Sequence, residues 1–140
     1  MKRIYLALAV ILVLVMLFLD SCSATSTTFS FPPNQVLNAQ TWDELPANGT
    51  YVQARKTLTL SWSADSGLVG YIFTENQYNN WKQSLETVAT YEGYQSGSQG
   101  SITVTIQNSD TYYAVLYNHA LSILGIGPAV KVYQATLIER

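Results

Sequence analysis

Charge, cysteine and histidine are all scarce in this chain, and each scarcity excludes something. Lys and Arg number seven against nine Asp and Glu, only 11% of residues are charged, and the formal net charge is -2. Two of the basic residues, Lys2 and Arg3, stand at the N-terminus, and the rest (Arg55, Lys56, Lys82, Lys131 and Arg140) are scattered. A nucleic-acid binder needs a basic stripe to neutralise phosphates, so nucleic acid is excluded as a partner. The one cysteine, Cys22, permits no intramolecular disulfide. The one histidine, His119, follows the run TYYAVLYN. A zinc site needs three or four N, S or O ligands, and a catalytic base needs a nucleophile in reach. With no second histidine, His119 reads as a turn residue. The Gly/Ser run GYQSGSQGS lacks the lysine of a phosphate-binding loop, and no GxSxG elbow occurs. Asp43 and Glu44 are adjacent, so on a strand their carboxylates diverge to opposite faces. Neither a catalytic residue nor a cofactor or metal is expected.

The N-terminus is rich in what the rest lacks. Residues 4–19, IYLALAVILVLVMLFL, follow Met-Lys-Arg without a charge. A basic head, an apolar run and a small-residue boundary describe a secretory signal or an anchor. Leu19-Asp20-Ser21-Cys22 resembles the box that closes bacterial lipoprotein signals. Three fates stay open: lipid attachment at Cys22, an uncleaved membrane anchor, or a cleaved signal and secretion. The first two place the rest of the chain on the extracytoplasmic side of a membrane. The expected organisation is therefore a signal peptide or anchor helix over 1–22, a Ser/Thr-rich tether over 23–30, and one domain over 31–140.

Within that domain the pattern alternates. In KTLTLSWSA, Leu58, Leu60 and Trp62 point one way while Thr57, Thr59, Ser61 and Ser63 point the other. GSITVTIQN repeats the arrangement with Ile102, Val104 and Ile106 inward. Period two with one apolar face predicts antiparallel strands. TYYAVLYN is apolar on both faces, which predicts a strand covered on both sides, ended by Asn118. PANGT, ADSG, NSD and GIGP are read as turns, and YEGYQSGSQGS as a glycine-rich loop. Asn48-Gly49-Thr50 also fits the glycosylation pattern, although its turn role accounts for it. The fold class expected is all-β: an antiparallel sandwich, jelly-roll or Ig-like, of about seven or eight strands. One short helix interrupts it, since Tyr78, Trp81, Leu85 and Val88 recur at helical spacing behind a Thr74/Gln77 capping box.

Ten tyrosines and three tryptophans exceed what so small a core requires. Aromatic rings stack on sugar C–H faces while amides bond hydroxyls, and ENQYNNW sets Tyr78 and Trp81 among Asn79 and Asn80. These four are the candidate ligand-binding residues. The competing reading makes Tyr78 and Trp81 the buried stripe of the helix, and it is favoured.

The order of LTLSWSADSGLVGYIFT, QYNNW, a Gly/Ser loop, GSITVTIQNSDTYYAVLYN and VKVYQATL resembles prokaryotic extracellular β-sandwich modules of the pre-peptidase C-terminal type and GOLD-like sandwiches. Thr111–Asn118 and Val130–Val132 carry the likeness, which spans residues 50–138. It implies a non-catalytic accessory domain for adhesion, spacing or binding. The expected function is thus a membrane-tethered interaction or structural module of the cell envelope, with envelope proteins or glycans as partners. The alternatives are a carbohydrate-binding module that uses exposed aromatics and, last, an envelope hydrolase.

Overall fold

The computed structural model describes residues 25–84, 90–121 and 126–140. The expected anchor and Cys22 lie outside the described residues, as do Leu85 and Val88 of the expected helix. Among the described residues no helix is long and apolar enough to cross a membrane.

Among the described residues seven strands and one helix follow in chain order. They are β1 (Thr27–Ser30), β2 (Gln35–Leu37), β3 (Trp42–Val52), β4 (Thr57–Thr74), α1 (Glu75–Gln83), β5 (Gly93–Thr105), β6 (Asp110–Tyr117) and β7 (Val130–Glu139). All pairing is antiparallel. The strands form one sheet in the order β1-β7-β4-β6-β3, with β2 also on β7 and β5 also on β4. The sheet curls nearly into a barrel, where two separate sheets were expected.

β4 organises this curl. Along one edge it pairs with β5 from Thr57 to Ile72. Along the other it pairs first with β7, Leu58 to Ala64, and then with β6, Val69 to Thr74. Its even positions, Leu58, Leu60, Trp62, Leu68 and Ile72, are buried in the main core. That core also takes Ile102, Ile106, Tyr112, Ala114, Leu116, Val132 and Leu137. The odd positions change character along the strand. Thr57, Thr59, Ser61 and Ser63 face outward on the first half, whereas Val69, Tyr71 and Phe73 are buried on the second. Burying each large apolar side chain stabilises the fold by about 1.5–3 kcal/mol, so the second half demands a cover. α1 supplies it, with Tyr78 and Trp81 packed on Val69, Tyr71, Phe73 and Val115. β6 is accordingly covered on both faces, as its composition predicts.

α1 begins where expected. Thr74 Oγ1 accepts from the Gln77 N–H at 3.4 Å, and Gln77 Oε1 accepts from the Thr74 N–H at 2.9 Å. The two side chains satisfy two otherwise orphaned donors, worth about 1 kcal/mol.

Four local expectations are corrected. The tether ends earlier than residue 30, because Thr27–Ser30 pairs with β7 and Phe29 packs on the core. PANGT is no hairpin turn: residues 46–49 bulge out between Leu45 and Thr50, both of which pair with β6. Asn48 and Gly49 take positive φ (73° and 71°) there, geometry that serves a bulge as well as a turn. ADSG likewise bulges within β4, between Ser63 and Leu68, without ending it. Most of the expected glycine-rich loop is strand β5, where Gly100 admits the Trp62 ring and Gly93 the Ile102 and Val104 side chains.

Candidate functional site

One aromatic layer covers the β3-β6-β4 part of the sheet. At its inner end Tyr113 stacks on Tyr78 at 4.2 Å, and Tyr78 lies 6.1 Å from Trp81. Trp81 stacks on Phe73 at 5.4 Å and meets Trp42 and Tyr117 edge-on. Tyr71, 5.8 Å from Trp81, connects this interior to the surface. Above it sit Tyr94, its cross-strand partner, at 5.4 Å and Tyr91 at 6.1 Å, and these two are 5.4 Å from each other.

Hydrogen bonds fix the inner end. Tyr78 Oη donates to Glu44 Oε1 and accepts from Trp42 Nε1. Glu44 Oε2 accepts from the Asn48 N–H at 3.1 Å, so the β3 bulge is tied to α1 through one carboxylate. Burial, and then the bond to Glu44, push the Tyr78 phenol well above its ordinary range. Burial, with Tyr94, Tyr117 and Tyr91 beside it, raises Tyr71 to about 12. Tyr113 and Tyr112 are raised too, chiefly by burial. At neutral pH these phenols keep their protons, and two of them donate, Tyr78 to Glu44 and Tyr112 to Asn108 O at 2.9 Å.

Tyr78 and Trp81 form the buried stripe of the helix, the reading favoured from the sequence, and the candidate sugar-stacking arrangement of ENQYNNW is corrected. Tyr78 and Trp81 are 1% and 2% exposed, because helical spacing turns both toward the sheet. Asn79 and Asn80 are exposed on the other side of α1. The four residues therefore do not share one surface. The Trp81 indole N–H is buried with no hydrogen-bond partner among the described residues. His119 is exposed in the connection after β6. Its neighbour Asn118 is fully buried, and its Nδ2 donates to Leu37 O at 3.0 Å and Pro128 O at 2.9 Å.

The acidic side chains are engaged in structure. Asp43 accepts from Gln35 Nε2 and Glu44 from Tyr78, so the adjacent carboxylates diverge as their strand dictates. Asp65 accepts from the Lys131 N–H at 2.9 Å, and Lys56 pairs with Glu139 at 2.7 Å. Among the described residues no three His, Cys, Asp or Glu side chains converge to hold a metal. Among the described residues the surface recesses include two of note. One of 330 Å³ is lined by Phe29, Phe31, Gln35, Asp43, Leu45 and Pro46, among others. A smaller one of 160 Å³ lies over Ser61, Trp62, Ser63, Gln134 and Thr136.

The surface best built for contact is Tyr91 with Tyr94, exposed by 46% and 47%. Their rings rest on buried Tyr71 and are held from below. Glu92, next to Tyr91 in the chain, accepts from Gln77 Nε2 at 2.8 Å, while Gln95, on the other face of β5 from Tyr94, accepts from the Ser101 N–H at 3.0 Å. Tyr91 and Tyr94 lie ten to sixteen residues after Tyr78 and Trp81. The available signal was negative: Tyr91 and Tyr94 fall outside the helical stripe, so the helix core does not account for them.

Compared with known proteins, the chain matches no family model and no curated protein.

Proposed function

We propose that this chain is a non-catalytic interaction module of the cell envelope, tethered to a membrane through its N-terminus and facing the extracytoplasmic side. The observation that carries the reading is the Tyr91–Tyr94 pair, two half-exposed rings braced by Tyr71. Tyrosine offers large, rigid, amphipathic contact area at low conformational cost, which is why it recurs at binding surfaces. The basic head, apolar run and Cys22 box support the tether, and the curled antiparallel sheet is in keeping with sandwich-type accessory modules. Intact-mass analysis of the mature chain tests the tether: lipidated Cys22 or a retained Met1 supports it, and a free N-terminus beyond Cys22 refutes it. Protease treatment of intact cells tests the orientation, since an inward-facing domain would survive.

A second reading, carbohydrate binding, draws on the same rings. Gln77 and Glu92, bonded to each other next to Tyr91 in the chain, offer hydrogen-bonding groups able to meet sugar hydroxyls. The full chain in mild detergent would bind a defined set of glycans on an array. Combined Tyr91→Ala and Tyr94→Ala substitution would abolish that signal; an unchanged signal refutes the site.

A further inference from the structure

Strand edges present rows of unpaired N–H and C=O groups, and this molecule treats its edges unequally. β1 and β2, four and three residues long, are short. β3, at the far end of the sheet, carries Pro46, the 46–49 bulge and the charges of Asp43 and Glu44. Short length, proline, bulges and charge are the usual protections against adventitious pairing. β5 has fewer of them, although Gln95 Oε1 accepts from the Ser101 N–H at 3.0 Å and so occupies one donor of its edge. It runs thirteen residues, GYQSGSQGSITVT, without a charge or a proline, and among the described residues it pairs only with β4. One irregularity, opposite Ser63 to Leu68, interrupts it; from Gln99 to Thr105 its register is unbroken.

The side chains along that run also suit a particular neighbour. Thr59 and Thr103 already share a hydroxyl contact across β4 and β5 at 3.1 Å, and Ser61 and Ser101 share another at 3.0 Å. The outer face of β5 thus repeats Gln99, Ser101, Thr103 and Thr105, all exposed. Two identical strands paired antiparallel about a two-fold axis set residue i of one copy opposite j of the other and j opposite i, so an axis at Ile102 sets Ser101 against Thr103 and Gln99 against Thr105. Like charges opposed in this way destabilise the pair, whereas Thr and Ser hydroxyls opposed in this way bond each other. An uncharged hydroxyl edge is therefore self-complementary where a charged one is not.

We infer that the open edge of β5 is a homodimer interface, in which a second copy of this chain adds its own β5 antiparallel, about 4.8 Å away, and joins the two sheets into one. Sedimentation of the full chain in detergent tests it, with the double variant Ser101→Lys/Thr103→Lys. Both positions are exposed, so the fold tolerates them, while two-fold pairing sets the new charges against each other. The expected result is a dimer for the parent chain and at least a tenfold weaker one for the variant. Gln134→Lys, on β7 away from the edge, leaves the dimer unchanged. A photo-crosslinking residue in place of Thr103 yields a covalent dimer, and the same residue in place of Thr136 does not. A monomeric parent chain, or a dimer indifferent to the β5 charges, overturns the inference.

Discussion

Trp62 on β4 and Gly100 on β5 are register partners, and the indole lies flat where a Gly100 side chain would be. A Cβ on Gly100 would come within 2.2 Å of the ring, and one on Gly70 within 2.6 Å. The indole N–H donates to Gly97 O at 3.1 Å, so the ring is satisfied at its polar edge as well. Three glycines in a sheet thus serve one tryptophan. Each weakens the strand by its flexibility, and the buried ring offsets that loss.

Gly100→Ala accordingly forces the ring or the strand to move. Overpacking of this kind costs about 1–3 kcal/mol. Urea denaturation would show the midpoint falling by that amount. Ser98→Ala, an exposed change on the same strand, would leave it within about 0.5 kcal/mol.

Asn118 makes a second prediction. Its side chain bonds the carbonyls of Leu37 and Pro128, and its Oδ1 accepts from the Ala120 N–H at 3.2 Å. Its own backbone exchanges bonds with Gln40 and Thr41. Asn118→Ala removes a donor from the buried Leu37 carbonyl, a loss costing about 1–3 kcal/mol. Stability would fall accordingly, and amide exchange at Gln40 would quicken before that of β4. Unchanged exchange at Gln40 would contradict the role.

How much of this was legible follows from which signals are local. The Thr74/Gln77 capping box and the Tyr78/Trp81 spacing involve residues within one or two helical turns, and α1 starts where they indicate. Alternation at Leu58, Leu60 and Trp62 likewise reports a face directly. Gly100 was misread because its low strand propensity is visible in sequence, while the Trp62 ring it accommodates lies more than thirty residues away. Asn48-Gly49 reports positive φ, which a hairpin turn and a bulge both use, so only pairing with β6 decides between them. Asn118 was read as a local turn former, and its bonds to Leu37 and Pro128 depend on the closed sheet. The aromatic surface was misplaced for a similar reason: composition counts rings, and topology decides which of them reach water.

The buried phenols impose a pH limit. Tyr71 loses its proton near 12 in the folded chain and near about 10 once unfolded. Between those values the native state holds a proton that the unfolded state has released, so rising pH favours unfolding. The contribution is intact below about pH 10 and disappears as pH climbs toward 12. Tyr78 shifts in the same direction. Denaturation midpoints would stay level from neutral pH to the onset of phenol ionisation and then drop. Tyr71→Phe would flatten the drop, and an equally steep one would show that Tyr71 is not responsible.

The inner and outer parts of the aromatic layer separate by stability. Trp81 touches Phe73, Tyr78, Tyr71, Trp42 and Tyr117, and its loss opens a cavity between α1 and the sheet. Trp81→Ala would cost about 3–5 kcal/mol, so any binding lost with it would be lost through unfolding. Tyr91 and Tyr94 are half in water, and truncating either exposed ring removes far less of the core. The alanine variants at 91 and 94 would each stay within about 1 kcal/mol of the parent while losing whatever binds the rings. Melting curves recorded beside binding curves make the distinction. If Tyr94→Ala destabilised the fold as much as Trp81→Ala, the outer pair would belong to the core, and the interaction surface proposed for it would have no residues left to stand on.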